Sequence, residues 1–152
     1  MIHVTAEAIN PAALLAAFSA ANPHAGAIAS FLGKVRGDGV EALDLDHHPT
    51  FTAAMIERIA ADARARFAIA DCLIVHRVGR LLPGAPIVLV AAASSHRRAA
   101  FDAVDYLMDR LKTEAPLWKR EVRADGTQWI EARPSDLADR ARWDEGGDHA
   151  DR

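Results

Sequence analysis

Residues 87–111, IVLVAAASSHRRAAFDAVDYLMDRL, contain the two strongest structural signals in the chain. Residues 87–93 form its most apolar run, which predicts a strand at the centre of a sheet. Two serines follow as helix-capping residues, and apolar side chains then recur every three or four positions as far as Leu111. The predicted stripe is Phe101, Val104, Met108 and Leu111. A buried strand followed by an amphipathic helix is therefore the unit around which we expect the rest of the fold.

Two further helices and five further strands are predicted around this unit. Asn10-Pro11 opens a helix that runs to about Ala21, and Pro49-Thr50 introduces a second one. The second helix has an apolar stripe at Phe51, Met55, Ile59, Ala63 and Phe67. Strands are predicted at 25–35, 40–47, 72–78, 117–122 and 127–132. Short turns join the strands in pairs, so the sequence predicts an α+β fold with a largely antiparallel sheet and three main helices.

The composition is that of one globular domain. The chain has 152 residues, of which 51% are hydrophobic and 26% charged, and its net charge is -3. This charge argues against nucleic acid as a partner, and the single cysteine, Cys72, excludes a disulfide framework. There is no apolar run of membrane-spanning length and no signal-peptide pattern, so we expect a cytoplasmic protein without membrane contact. We expect one domain over residues 1–133 and a polar, poorly ordered tail over residues 134–152, with at most one helical turn around residues 137–143.

Lysine is rare in this chain, and its positions are informative. Only three of the 18 basic residues are lysines. Lys34 lies at a strand end beside glycines, Lys112 in a helix end, and Lys119 on the strand that follows. The chain reverses between the last two, so their ammonium groups can face one pocket, with Trp118 on the opposite face of the strand. Two close lysines lower each other's pKa and favour an anionic substrate, but spacing alone favours two unrelated surface lysines. The position of all three lysines in two basic clusters is what favours one composite anion-binding site.

A second cationic cluster precedes the third helix. Ser94-Ser95-His96-Arg97-Arg98 places basic side chains in the first helical turn, where the helix dipole disfavours positive charge. A bound anion would reverse that preference, because backbone N–H groups and cations would converge on it. We favour an anion site here over a hydrated surface turn. His47, His48 and His76 lack metal-ligand spacing and are expected at core or strand-edge positions.

In order along the chain, these segments resemble the MoaE family, the large catalytic subunits of molybdopterin synthases. The resemblance covers about residues 3 to 133 and rests on several separate motifs. They are Phe31-Leu32-Gly33-Lys34-Val35-Arg36, Leu45-Asp46-His47-His48-Pro49, Val75-His76-Arg77-Val78-Gly79, Ser95-His96-Arg97, Leu111-Lys112-Thr113, Trp118-Lys119-Arg120-Glu121 and Trp129-Ile130-Glu131-Ala132.

The resemblance implies an α/β hammerhead fold and a sulfurtransferase activity. In that family a homodimer binds two small ubiquitin-like subunits of the MoaD type, which gives a heterotetramer. The thiocarboxylated C-terminus of the small subunit supplies two sulfurs to cyclic pyranopterin monophosphate, and the product is the molybdopterin dithiolene of the molybdenum cofactor. The resemblance implies no metal and no other cofactor for this step.

The resemblance also implies residue roles. Lys112 and Lys119 become the catalytic pair, with Lys119 contacting the thiocarboxylate or activating the reacting carbon and Lys112 giving acid–base help. The substrate-binding residues implied are Lys34, Val35, Arg36, His96, Arg97, Arg120 and Glu121. His96 and Arg97 belong either to the same protomer or to its partner, a question that the sequence leaves open.

Two other functions compete with this interpretation. One is a non-catalytic scaffold that binds a ubiquitin-like partner, against which the retention of both lysines argues. The other is an unrelated phosphate-ester enzyme, which the absence of paired carboxylates and of a phosphate-binding loop disfavours.

Overall fold

The structure is a computed structural model that describes residues 1–144. Its elements are β1 (Ile2–Thr5), α1 (Pro11–Ala21), β2 (Ala27–Lys34), β3 (Ala42–His47), α2 (Pro49–Arg66), β4 (Ile69–Arg77), β5 (Gly79–Leu81), β6 (Pro86–Ser94), α3 (Arg97–Glu114), β7 (Leu117–Arg123), β8 (Gly126–Ile130) and α4 (Pro134–Ala141). No helix within residues 1–144 is both long and apolar enough to cross a membrane. The α+β prediction is confirmed, and the described residues contain a fourth helix beside the three main ones.

The first sheet has the strand order β1-β4-β6-β2 and forms the centre of the molecule. β1 pairs with β4 in parallel, whereas β6 pairs with β4 and β2 in antiparallel fashion. The central position of β6 agrees with the apolar run that predicted it. Because β6 is paired on both edges, its backbone groups are satisfied without water.

Both faces of this sheet are covered by helices. Leu89, Ala91 and Ala93 of β6 point towards α1 and pack with Phe18. The alternate residues of the same strand, Val88, Val90 and Ala92, point towards α2 and α3. Since successive residues of a strand face opposite sides, a strand covered on both faces must be apolar throughout, which is the pattern seen in the sequence.

A second sheet, with the order β5-β3-β7-β8, is antiparallel throughout. The sequence predicted one sheet and missed β1 and β5, which contribute four and three residues. Both missed strands are too short to show a periodicity of their own, and tertiary pairing defines them. One face of the second sheet covers a small apolar cluster that includes Leu43, Leu45 and Leu81.

The helix stripes are partly different from those predicted. Phe51 and Phe101 are exposed, and the buried positions of α2 include Thr52, Ile56 and Ala60 instead. In α3 the first helical residue is Arg97, and the serine hydroxyls do not cap the helix. The Ser94 hydroxyl donates to the Ala68 carbonyl at 2.7 Å, which ties β6 to the end of α2.

The segment after residue 133 is ordered as far as the structure describes it. Residues Pro134–Ala141 form α4, where the sequence predicted a poorly ordered tail. Trp143 is buried against Phe67 and Tyr106, and its indole N–H donates to Asp109 at 2.7 Å. The sequence did not predict the full helix, because the segment is polar and most of its contacts are ion pairs with α3. Residues 145–152, with the glycines and the histidine of the predicted tail, lie outside the described residues.

Candidate active site

A cavity of about 310 Å³ lies where the end of β2, the end of α3, β7 and the start of α4 meet. It is rich in positive charge, and its volume is that of a small-molecule site. The cations on its wall are Lys34, Arg36, Lys112, Lys119 and Arg133. The three lysines of the chain therefore meet at one site, as the sequence predicted.

The alternation of β7 determines which side chains enter the cavity. Leu117, Lys119 and Glu121 point into it, while Trp118 and Arg120 point to the other face of the sheet. Arg120 donates to Asp44 at 2.9 Å and lies over the ring of Trp129. The predicted placement of Arg120 in the pocket is therefore wrong for this chain, because adjacent strand residues cannot share a face.

Lys112 and Lys119 reach the cavity from two consecutive elements. Lys112 lies in the last turn of α3, and the chain reverses at Ala115 and Pro116 before β7 begins. The Lys112 ammonium donates to a carboxylate oxygen of Asp136 at 2.9 Å. Lys119 forms no ion pair within residues 1–144.

The environment of Lys119 favours its neutral form. Burial lowers the pKa of the Lys119 ammonium, and the positive charge of Lys112 lowers it further, while Asp136 opposes the shift. A buried ammonium loses hydration that no carboxylate replaces here, which explains the direction. The site thus contains one lysine paired with a carboxylate and one that gives up its proton more easily.

A second cavity, of about 220 Å³, adjoins the first. It shares Lys34, Lys112 and Lys119 with the first cavity but has a more apolar wall that includes Phe31 and Met108. The three lysines therefore line both cavities, so that a ligand bound at the lysines can contact charged and apolar side chains.

His76 belongs to the wall of this second cavity. Its Nδ1 atom lies 2.7 Å from the carbonyl oxygen of Arg77, and the residue is only 3% exposed. Burial lowers the pKa of His76 to about 4, the hydrogen bond to Arg77 opposes this, and the charge of Lys119 adds to it. His76 is thus a neutral imidazole at physiological pH, and its predicted core position is confirmed.

The segment after β2 provides the remaining predicted residues. Lys34 and Arg36 are exposed at the cavity rim, and Val35 is buried beneath them. Hydrogen bonds of the Val35 N–H with Ala85 O (3.0 Å) and of Gly84 N–H with Val35 O (2.9 Å) hold this segment in place. A Cβ atom at Gly33 would lie 2.9 Å from Val88 Cγ1, so a larger residue there would disturb the strand that presents Lys34.

His96 and Arg97 are exposed at the opposite end of α3 from Lys112. Residues 97 and 112 are about 22 Å apart along the helix axis, at about 1.5 Å per residue. Neither side chain lines the cavities that hold the lysines. One chain therefore does not bring His96 and Arg97 to its own lysine site.

The sequence analysis missed the contribution of the C-terminal segment. Glu131, Arg133, Ser135 and Asp136 line the first cavity, although no chemistry was predicted for them from the sequence. The available signal was local: Pro134 at the first helical position and Asp136 two residues later are typical of a helix start. Within residues 1–144, no group of three His, Cys, Asp or Glu side chains is arranged to hold a metal ion.

Comparison with known proteins identifies the family. The family model described as MoaE protein matches residues 4–114, which is more than half of the chain. The chain belongs to the MoaE family. The matched range includes Lys34 and Lys112, whereas Lys119 and α4 lie beyond its C-terminal end.

Alignments with individual relatives extend beyond that range and cover most of the chain. The molybdopterin synthase catalytic subunit of Caulobacter vibrioides is 46% identical over 147 residues, which cover 95% of this chain and 98% of the relative. The MoaE protein structure from Burkholderia ambifaria is 46% identical, has a TM-score of 0.83 and covers 96% of this chain and 99% of that one.

A more distant structure shares the MoaE fold alone. It comes from Helicobacter pylori and is described as a protein-protein complex of subunits 1 and 2 of molybdopterin-converting factor. It is 22% identical, has a TM-score of 0.72 and covers 88% of this chain and 90% of that one. The fold with two sheets thus persists where most side chains differ.

Proposed function

We propose that this chain is the catalytic subunit of a molybdopterin synthase and transfers sulfur to a pterin precursor. Its close relatives are named molybdopterin synthase catalytic subunits, and the alignment with one of them spans 95% of this chain. The single structural observation that carries the proposal is the convergence of Lys34, Lys112 and Lys119 on one cavity.

The proposed substrates are both anionic, and this matches the charge of the cavity. Sulfur comes from the thiocarboxylated C-terminus of a small ubiquitin-like subunit of the MoaD type, and the acceptor is cyclic pyranopterin monophosphate. Two transfers on one substrate make the molybdopterin dithiolene. Cations already in place lower the cost of bringing the two anions together. The proposed reaction uses no metal or further cofactor, because the partner supplies the sulfur.

The roles of the two lysines follow from their surroundings. Each transfer replaces a carbon–oxygen bond of the substrate with a carbon–sulfur bond, and the displaced oxygen leaves as water or stays on the phosphate. Water then hydrolyses the acyl–sulfur bond that joins substrate and donor, and its oxygen remains in the released carboxylate. Lys119, whose pKa is lowered by burial, is suited to take the proton of that water. Lys112, paired with Asp136, is suited to hold an anionic oxygen or sulfur. Lys34, Val35, Arg36 and Glu121 complete the binding surface.

The assembly that we propose is a homodimer with two small subunits, a heterotetramer. His96 and Arg97 are exposed and far from the lysines of their own chain, so a second protomer is the means by which they join a site. The Helicobacter pylori complex of the same fold favours a partner subunit. The proposed location is the cytoplasm.

A reconstitution tests the proposal. The purified chain is mixed with thiocarboxylated small subunit and cyclic pyranopterin monophosphate, and the dithiolene product is followed by mass spectrometry. We expect product from the wild type and a loss of about 10²-fold or more for Lys119→Ala and Lys112→Ala. Lys119→Arg keeps the charge but cannot release a proton, so we expect it to fail as well.

The alternatives give different results in the same experiment. Binding of the small subunit without product would identify a scaffold, and the absence of both binding and product would reject the proposed function. Full activity of Lys119→Arg would reject proton transfer by Lys119 while leaving sulfur transfer intact.

A further inference from the structure

The carboxylate of Asp136 joins the start of α4 to the lysine cavity. One of its oxygens accepts from the Lys112 ammonium at 2.9 Å. The other accepts from the backbone N–H of Arg133 at 3.0 Å, which is the N-terminal hydrogen bond of α4. The hydrogen bond at the helix start therefore fixes the position of the Asp136 carboxylate independently of Lys112. Asp136 can thus orient the Lys112 ammonium.

α4 is itself fixed to α3 at its other end. Arg140 donates to Glu114 at 2.9 Å, Arg142 donates to Asp109 at 2.9 Å, and the Trp143 side chain is buried. These contacts hold the C-terminal part of α4, and Asp136 extends from the opposite, N-terminal end. The position of Asp136 is thus a consequence of helix packing and not of a free loop.

Several charged groups face the two catalytic lysines. From the end of β2 and the segment after it come Lys34 and Arg36, and from β7 comes Glu121, which Arg123 already holds at 2.6 Å. Glu131 and Arg133 precede α4, and His76 of β4 is neutral. Within residues 1–144, Asp136 is the carboxylate that forms an ion pair with a lysine of this cavity.

The two catalytic lysines differ in their contact with Asp136. Asp136 is in direct contact with Lys112, whereas Lys119 is half-buried and has no carboxylate in contact within residues 1–144. A carboxylate at contact distance stabilises an ammonium more than one farther away, since the attraction falls with distance. The contact thus fixes the Lys112 ammonium near Lys119, where its positive charge lowers the pKa of Lys119.

We propose that Asp136 is a positioning residue of the sulfur-transfer site, which holds the Lys112 ammonium in the orientation that sulfur transfer requires. This inference rests on the proposed function, and it assigns to the C-terminal helix a part in the reaction. Removal of the Asp136 charge leaves Lys112 free to move and leaves two lysines to repel each other without a counter-charge.

The test compares three variants of the full chain in complex with thiocarboxylated small subunit. Asp136→Asn removes the charge but keeps an oxygen for the Arg133 N–H, and Asp136→Glu restores the charge. Asp139→Asn is the matched control, because Asp139 is an exposed carboxylate of the same helix without an ion pair in the described structure. kcat and KM for cyclic pyranopterin monophosphate are measured for each across pH.

We expect Asp136→Asn to lower kcat by about tenfold to 100-fold without raising KM, since the substrate anion still meets the same cations. Because Asp136 raises the pKa of Lys119, its removal moves the acid limb of the pH profile to lower pH. We expect Asp136→Glu to recover most of the activity and Asp139→Asn to match the wild type. A kcat for Asp136→Asn that equals the control, or exceeds it, would overturn the proposal.

A second measurement does not depend on turnover. The chain has three lysines, so protein labelled with ¹³C at lysine Cε gives three side-chain signals whose titration is followed by NMR. We expect the Lys119 signal to titrate at lower pH in Asp136→Asn than in the wild type or in Asp139→Asn. Unchanged Lys119 titration would overturn the proposed placement of the Asp136 charge beside the lysines even if no condition gave sulfur transfer, whereas a shift without wild-type turnover would count against the proposed function alone.

Discussion

The lysine cavity and the junction between α3 and α4 both contain several cations. The two regions differ in whether these cations are paired with carboxylates. At the junction, Arg110, Arg140 and Arg142 each meet a carboxylate. In the cavity, Lys34 and Lys119 meet none within the described part of the chain. The paired cations of the junction are arginines, which stay charged, whereas the lysines of the chain all lie at the cavity, beside Arg36 and Arg133, and a lysine can lose a proton when buried.

The difference separates charge that stabilises the fold from charge that is kept for a ligand. Paired cations at the junction satisfy buried carboxylates such as Asp109, which is 9% exposed. Unpaired cations in the cavity raise the free energy of the empty site and are stabilised when an anion binds. α4 contributes to both regions, because Arg140 and Trp143 reach the junction and Asp136 reaches the cavity.

The largest stability effect is expected at the junction. Trp143→Ala removes a buried indole and the donor to Asp109, so we expect it to lower the free energy of unfolding by about 3–5 kcal/mol in urea titrations. Leu137→Ala, at a position that is 53% exposed on the same helix, is the control and is expected to change it by less than about 0.5 kcal/mol. Equal effects of the two substitutions would show that the junction does not stabilise the fold.

A second effect concerns the pH dependence of stability that arises from His76, the buried imidazole of the cavity wall. His76 has a pKa of about 4 in the folded chain, below its ordinary value of 6.5, so it stays neutral where the unfolded chain takes up a proton. Its contribution to stability is full above about pH 6.5 and is lost as pH falls towards 4, which amounts to about 3 kcal/mol.

Unfolding in urea at several pH values measures this dependence. We expect His76→Gln to remove that part of the pH dependence, whereas His24→Gln, at an exposed position, keeps it. If the wild type and His76→Gln lost stability in parallel between pH 6.5 and 4, the assignment of this linkage to His76 would be wrong.

A smaller effect is expected when an unpaired cation is removed from the cavity. Lys119→Met replaces a buried ammonium with an apolar chain of similar length, so we expect a gain of about 1–2 kcal/mol in the free energy of unfolding at pH 7 together with loss of sulfur transfer. Because the pKa of Lys119 is lowered in the folded state, this gain should shrink as pH rises through the ordinary lysine range.

Lys34→Met is the control, since Lys34 is exposed and its replacement should change stability by less than about 0.5 kcal/mol. A loss of stability in Lys119→Met would show that the buried ammonium supports the fold, and it would remove the contrast between cavity and junction.

Local patterns predicted much of the fold and part of the site. The apolar run of β6 and the proline-initiated helices α1 and α2 are visible because a strand covered on both faces and a helix start each impose a residue pattern. β1 and β5 could not be predicted, because three or four residues carry no period and pairing with β4 and β3 defines them.

The residues of the candidate site were likewise predicted only in part. Lys112 and Lys119 could be brought together from the sequence because one turn joins their elements. Arg120 was misplaced because a motif of adjacent residues does not state which of them faces inward, and strand pairing with β3 and β8 decides this. His96 and Arg97 were recognised as a cationic cluster, but the length of α3 separates them from the lysines of their own chain.

The sequence by itself determined the α+β class, the central strand, the family and the three lysines, since each depends on residue types at short spacing. Only the tertiary structure decided that there are two sheets, that Arg120 faces away from the cavity, and that Asp136 meets Lys112. The physical reason is that packing and ion pairing join residues far apart in the chain. Burial, which lowers the pKa of Lys119, exists only once those residues have come together.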